Sequence, residues 1–326
     1  MATDFEHAPV MRDEIVDTFR SVPAGVVLDA TLGGGGHAEA ILDSRSDLRL
    51  LGLDRDPDAL DAATARLDRF GDRVMTHRCR FDELDTAMSA HSVGELSGAL
   101  FDLGVSSPQL DRAERGFSYR NEGPLDMRMD SDAPWSADDV VNGYAEDELA
   151  RVIRQHGDER FAHRIARAIV AARPVETTTQ LAAIVTAAIP AAARRTGGHP
   201  AKRTFQAIRI EVNGELEALP VALDKAIGAL VSGGRLAVLS YHSGEDRIAK
   251  DRIRQAETGG CECPPELPCV CGAVKTVRIV RGVPKRPTKS EQETNRRAAS
   301  ARLRVAEKLP TEDVPAEDVP ADVKVG

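Results

Sequence analysis

The chain has 326 residues, 42% hydrophobic and 29% charged, a balance that excludes disorder of the whole chain and leaves room for about two domains. No apolar run approaches the roughly 20 residues needed to cross a bilayer. The first twenty residues mix acids and bases without the continuous apolar block of a secretory leader, so the expected location is the cytoplasm. The net charge of -9 hides a strong asymmetry: Arg151 to Arg209 and Lys275 to Lys308 each hold 11 Lys or Arg against 3 Asp or Glu. Residues 310–326, with Val-Pro-Ala-acid repeats, read as an acidic disordered tail. Two basic tracts in an acidic chain are either solvated helix faces or, if they share one surface, an electrostatic footprint for nucleic acid.

In chain order, Gly25 to Thr31 (GVVLDAT) is a short apolar strand ending in an acid, followed by the loop Gly33 to Gly36 and a helical pattern from His37 to Leu42. Leu48 to Leu53 is a second strand ending at Asp54, and Pro57 to Phe70 has helical period. Arg73 to His77 is a third strand and Gly98 to Leu103 (GALFDL) a fourth, again with an acid at its end. Strands alternating with helices at this spacing predict an α/β fold, a parallel sheet with helices on both faces. After Pro108 the pattern breaks. Asp111 to Trp135 is loop-like, and Ser136 to Ala193 is helical in period. Leu219 to Leu230 is a helix, Gly234 to Ser240 (GRLAVLS) a strand after a Gly-Gly turn, Val274 to Val280 strand-like, and Ser290 to Lys308 helical. The predicted division is 1–110 and 205–309 for the two parts of the sheet domain, with 111–204 as an inserted all-helical domain.

Ligands of open parallel sheets sit at the carboxyl ends of the strands, where glycines admit the backbone and helix N-termini stabilise electron-rich groups. Asp29, Gly33 to His37, Asp54 and Asp102 all fall there. An acid about 20 residues past a glycine loop, here Asp54, is suited to both ribose hydroxyls of an adenosine group. A dinucleotide loop of the G-x-G-x-x-G kind is matched only if Ala38 replaces the last glycine, and Asp29 would repel a pyrophosphate. S-adenosylmethionine has no phosphate and carries a sulfonium and an ammonium that Asp29 complements, so it is the favoured cofactor. The run Asp102-Leu-Gly-Val-Ser-Ser-Pro-Gln109 then places small polar groups where a methyl acceptor must approach. An exocyclic base amine is a poor nucleophile, and acceptors on its protons with in-line placement supply most of the rate. Asp102 and Ser106 are the candidate catalytic residues; the alternative is a capping loop chosen for turn geometry.

HAPVM (His7 to Met11), DATLGGGGHA (Asp29 to Ala38), LDRDPDAL (Leu53 to Leu60), DLGVSSPQLDRAERGFS (Asp102 to Ser118), GPLDMRMD (Gly123 to Asp130), RTFQAIRIEVNGEL (Arg203 to Leu216) and SYHSGEDRIAK (Ser240 to Lys250) resemble the bacterial 16S ribosomal RNA cytosine-N4 methyltransferases, the RsmH (formerly MraW) family. The resemblance runs from about His7 to Lys308. It implies a Rossmann-like S-adenosylmethionine-dependent methyltransferase sheet and methylation of N4 of a decoding-region cytidine, in 16S rRNA or the small ribosomal subunit. Carried over position by position, it implies cofactor contacts at Gly35, Gly36, His37, Asp54, Phe81, Asp102 and Gln109. The sequence departs from the family at Gly34 and Gly244, neither of them a cofactor position.

Arg160, Arg164 and Arg167 lie at i, i+4 and i+7 with His163 beside them, giving one basic helix face to grip RNA phosphates. Asn213, Tyr241 and His242 are suited equally to contacting the base and to a structural role. Cys261, Cys263, Cys269 and Cys271 could hold zinc in a tetrahedral thiolate site or be free or paired thiols; Cys79 reads as core. Two rival readings remain, a nicotinamide-dependent oxidoreductase and a non-catalytic RNA-binding or assembly factor. Cofactor binding and labelling of small-subunit RNA separate them from a methyltransferase.

Overall fold

The computed structural model describes residues 9–194, 198–264, 270–295 and 298–310. Cys269 and the acidic stretch from Thr311 onward lie outside them.

The strands are β1 (Gly25–Asp29), β2 (Leu48–Asp54), β3 (Val74–Arg78), β4 (Leu96–Asp102), β5 (Leu230–Ser240), β6 (Val277–Ile279) and β7 (Arg302–Lys308), in one sheet of order β3-β2-β1-β4-β5-β7-β6. β1 to β5 run parallel, and β7 is inserted antiparallel between β5 and β6. The parallel strands are nearly continuous apolar runs because both faces are covered. Leu48, Leu50, Leu51 and Leu53 of β2, and Leu96, Ala99, Leu100 and Phe101 of β4, are all buried. From β1 the chain moves outward to β2 and β3 on one side, whereas β4 and β5 lie on the other. The switch point of this doubly wound sheet is therefore the crevice at the carboxyl ends of β1 and β4.

Two expectations are corrected. Ser290 to Lys308 is not one helix but a short helix, Lys289–Thr294, followed by β7. Apolar Leu303, Val305 and Ala306 fit both periods on paper, and pairing with β5 decides the outcome by burying Leu303 and Val305 on one face and Ala306 on the other. The glycines before Arg235 do not end a turn but form a bulge within β5: the register against β4 slips between Leu96 and Gly98, with Gly233 at φ 78°.

Between β4 and β5 the chain leaves the sheet. The helices Glu146–Gly157, Ala162–Ala171, Thr178–Ala188 and Lys202–Asn213 pack a hydrophobic cluster of their own around Leu149, Ile153, Ile165, Leu181, Val185 and Ile208. In Glu146–Gly157, Ala162–Ala171 and Lys202–Asn213 the apolar residues recur at three and four positions, so each presents one stripe inward and a polar face outward, whereas Thr178–Ala188 is apolar nearly all round and exposes Ala183 and Ala187. Helix Glu215–Ala229 then returns the chain to β5.

Candidate active site

The glycine loop is a left-handed turn into a helix. Gly33 (φ 51°) and Gly35 (φ 75°) both occupy the conformation that a side chain disfavours, and Gly35 caps the helix Gly36–Ser44. Asp54 fastens this loop to β2. Its Oδ2 accepts the Gly33 N–H at 2.8 Å and its Oδ1 the Asp56 N–H at 2.9 Å. Burial nevertheless pushes the Asp54 carboxyl above its ordinary range. Pro9 lies over Gly36, where a Cβ would come within 3.1 Å of its ring, so the N-terminal segment also borders the loop.

Asp29, at the tip of β1, is only 2% exposed, and burial raises its pKa to about 7, against a lowering influence from His37 and the Thr31 N–H on Oδ1. Asp102 and Asp54 add further repulsion. At the tip of β4, Asp102 is held from two sides. Its N–H donates to Thr31 Oγ1 at 2.7 Å, and its Oδ1 accepts the Tyr241 hydroxyl at 2.8 Å. Asp102 Oδ2 stands 3.5 Å from His37 Nε2. His37 is buried, and neither ring nitrogen makes a hydrogen bond among the described residues. His37 is thus a buried imidazole with no hydrogen bond at either nitrogen, its Nε2 facing the Asp102 carboxylate, and it keeps hydrogen-bonding capacity for a further partner.

Phe81 follows β3, half-buried, its ring edge-on to Phe101 at 6.1 Å. Gln109 and Ser106 are tied into the wall. Gln109 Oε1 accepts the Ser106 N–H at 3.0 Å, and its Nε2 donates to Asp56 Oδ2 at 2.9 Å. Ser106 Oγ accepts the Gln109 N–H at 3.4 Å, the geometry of a cap on the short helix Ser107–Asp111. Gly35, Gly36, His37, Asp54 and Asp102 thus converge on the switch point. Phe81 borders it from β3, and Gln109 braces it from behind Asp56.

Asp56 and Glu245 were not picked out by sequence. Asp56, 2% exposed, caps the helix Pro57–Leu67 and takes Gln109 and the Arg115 guanidinium at 2.9 Å, joining the β2 loop to the segment after β4. The Asp-Pro pair at a helix start is a signal from which the cap could have been read, but its partners Gln109 and Arg115 are set by tertiary packing. Glu245 is buried behind Tyr241: its Oε2 accepts the Tyr241 N–H at 2.7 Å and its Oε1 lies 3.0 Å from His242 Nε2. Despite the cost of burial, His242 and the Arg209 guanidinium hold its carboxyl below the usual range. His242 is therefore a helix cap paired with Glu245. Asn213 is likewise saturated, donating to the Met127 and Arg209 carbonyls and accepting from Met129 N–H and Arg55.

Residues 4–309 match the MraW methylase family. The ribosomal RNA small subunit methyltransferase H of Mycobacterium sp. (strain KMS) is 51% identical over 314 residues, covering 93% of this chain and 84% of that protein. Its counterpart from Heliobacterium modesticaldum is 49% identical over 311 residues, covering 94% of this chain and 99% of that protein.

The chain belongs to the MraW methylase family.

With that membership the chain is a methyltransferase, and the crevice at the strand tips of its doubly wound sheet is the candidate active site. Two groups of exposed basic side chains stand out in this MraW-family chain. Because β7 runs antiparallel, its first residue, Arg302, pairs with Ser240 at the sheet edge that carries the site. Leu303 N–H reaches back to the Lys285 carbonyl, bringing exposed Arg281, Lys285, Arg286 and Lys289 to that edge. In the helical segment Arg160, His163, Arg164 and Arg167 are all exposed. Other members of the basic tracts are already paired inside the protein, notably Arg209 with Glu215, Arg304 with Asp246 and Arg278 with Glu307. No helix among the described residues is long and apolar enough to cross a membrane.

Proposed function

We propose that this chain transfers a methyl group from S-adenosylmethionine to N4 of a cytidine in the decoding region of 16S ribosomal RNA. The observation that carries the reading is the meeting of Asp29, Asp54, Asp102 and the buried His37, which faces Asp102 and makes no hydrogen bond among the described residues, at the switch point of the sheet. The residues fit the cofactor. Its sulfonium and ammonium are cations that strand-tip carboxylates complement. Each Asp54 oxygen spends one lone pair on a backbone N–H and keeps another for a ribose hydroxyl. When bound, the cofactor supplies an electrophilic methyl group on positively charged sulfur.

Everything else in the step is positioning. Gly35 and Gly36 let the backbone come close, and the helix N-terminus behind them favours a carboxylate. Phe81 offers a ring for the adenine. Thr31 and Tyr241 hold Asp102 still, so that its Oδ2 accepts a hydrogen bond from the attacking amine and localises the nitrogen lone pair. Ser106 is the second candidate, on the loop beside it. Gln109 supports the cofactor wall through Asp56. The helical segment 111–204 and the basic loop 281–289 grip phosphates, which position the RNA while the strand tips receive the base turned out of it. The relatives, ribosomal RNA small subunit methyltransferases by name, support a substrate in small-subunit RNA.

The test is incubation with methyl-labelled S-adenosylmethionine and either free 16S rRNA or small subunits, followed by digestion and mass spectrometry of nucleosides. Label in N4-methylcytidine at a single site is expected. Label on another atom or base, or unlabelled RNA from protein that binds the cofactor, overturns the reading.

A further inference from the structure

Three thiols that the methyl transfer does not use come together just past the C-terminal end of the helix Ser243–Thr258. The Sγ atoms of Cys261, Cys263 and Cys271 lie within 4.8 Å of one another, Cys261 and Cys263 half-buried and Cys271 exposed. Zinc held by sulfur at about 2.3 Å in a tetrahedron sets its sulfurs about 3.8 Å apart, so the three already stand near that spacing. The group contains only sulfur donors, which suit zinc and do not suit magnesium or calcium.

The backbone brings them there without an apolar core. Gly259 (φ 64°) turns the chain off the helix so tightly that a Cβ would sit 2.5 Å from the Val274 carbonyl oxygen. Thr276 N–H donates to Ala256 O at 2.9 Å and Cys261 N–H to Thr258 O at 3.2 Å, so both ends of the excursion are fastened to the last turn of the helix. Between those ends the apolar side chains face solvent: Val270 is 88% exposed and Val274 73%. Burial of apolar area therefore does little to hold the described part of this segment together.

We infer that Cys261, Cys263 and Cys271 bind one Zn²⁺ ion that ties the excursion to the helix end. Each thiol gives its proton to solvent as it ligates, the metal keeps its oxidation state, and the fourth corner of the tetrahedron takes a further donor. The site is structural and does not depend on the methyl-transfer reading.

The full chain, purified under reduction without added metal, is expected to carry about one zinc by mass spectrometry of the metal, falling about tenfold in the double variant Cys261→Ser, Cys263→Ser. Zinc well below one per chain, or zinc undiminished in a folded variant, overturns the site. If the variant does not fold, the wild-type protein decides. Stripped of metal and loaded with Co²⁺ alone, it should show thiolate-to-cobalt charge-transfer absorption and tetrahedral visible bands. Absence of those bands, or two of the five thiols tied up as a disulfide in the freshly isolated chain, overturns the inference.

Discussion

The strand tips and the outer face of the helical segment both carry concentrated charge, and they hold it in opposite ways. At the tips, Asp29 and Asp54 are withdrawn from water, repel one another and Asp102, and are pushed toward their neutral forms. On the helix Ala162–Ala171, His163, Arg164 and Arg167 stand in solvent, and the Arg167–Glu146 pair at 3.3 Å leaves the arginine side chain 77% exposed. Buried like charges cost folding free energy, so a protein that keeps them gains something else, which under the proposed function is a site for a cationic cofactor. Exposed charges cost almost nothing, act at a distance and substitute for one another, which suits a polyanion. Changes at the tips should therefore be large and specific, and changes on the helix face small and additive.

The largest effect is expected where the buried acids are braced. Glu245→Ala strips the Tyr241 and His242 N–H groups of their acceptor and leaves His242 and Arg209 facing a void. Breaking a buried pair in this way costs about 3–5 kcal/mol, measurable by urea unfolding. A loss below about 1 kcal/mol would show that the brace is dispensable. The pH sign follows from the depressed carboxyl. Its contribution is present above the unfolded pKa, near 4.3, and is lost as pH falls through the folded value, so the advantage over Glu245→Gln should shrink in acid.

Next comes Asp54→Ala, which removes both the acceptor for Gly33 and Asp56 and the proposed ribose ligand. Hydrogen bonds to a charged group contribute about 1.5–3 kcal/mol each, so cofactor affinity by calorimetry should fall about a hundredfold. Unchanged affinity removes Asp54 from the site and with it the contrast between the two regions.

Asp54 was legible because its warrant is local: an acid ends an apolar run a fixed distance past a glycine loop. The same holds for Asp29 and Asp102, each closing a run of the same kind. Glu245 was readable in part: its i, i+3 spacing from His242 is that of a capping box, but its burial and the approach of Arg209, thirty-six residues earlier on the returning helix, come from tertiary packing that no spacing rule reports. Gln109 shows the intermediate case. Its position after β4 was visible, but its tie to Asp56 across the sheet end was not. β7 was misread because Leu303, Val305 and Ala306 satisfy two periods, and only the open edge of β5 decides between them.

A smaller effect, and a sharper one, is the pH response of Asp29. Because burial raises its folded pKa to about 7, the native state binds a proton that the unfolded chain has already released. The resulting cost is absent below about pH 4, grows from there to about 7, and is complete above. Asp29→Asn, which keeps the oxygen facing Thr31 N–H, should show a stability advantage over wild type that is absent below about pH 4, grows across that window and stays constant above it. The cationic cofactor requires the ionised form, so wild-type affinity for S-adenosylmethionine should rise about tenfold from pH 6 to pH 8, while the asparagine variant stays flat. S-adenosylhomocysteine, which lacks the sulfonium charge, should show a weaker dependence in the same calorimeter. Equal pH profiles for both proteins would mean that Asp29 does not face the cofactor.

The smallest effect belongs to the outer face. Arg164→Glu should leave stability within about 0.5 kcal/mol, because the side chain is exposed. It should weaken RNA binding only a few-fold at moderate salt, while lowering the slope of log affinity against log salt by about one phosphate contact. Adding Lys285→Glu at the sheet edge should lower the slope again by a similar step, since the two positions act through separate phosphates. A single substitution on this face that abolished binding outright would mean that the helical segment reads a specific group, and the division between a buried, exacting site and an exposed, forgiving one would have to be redrawn.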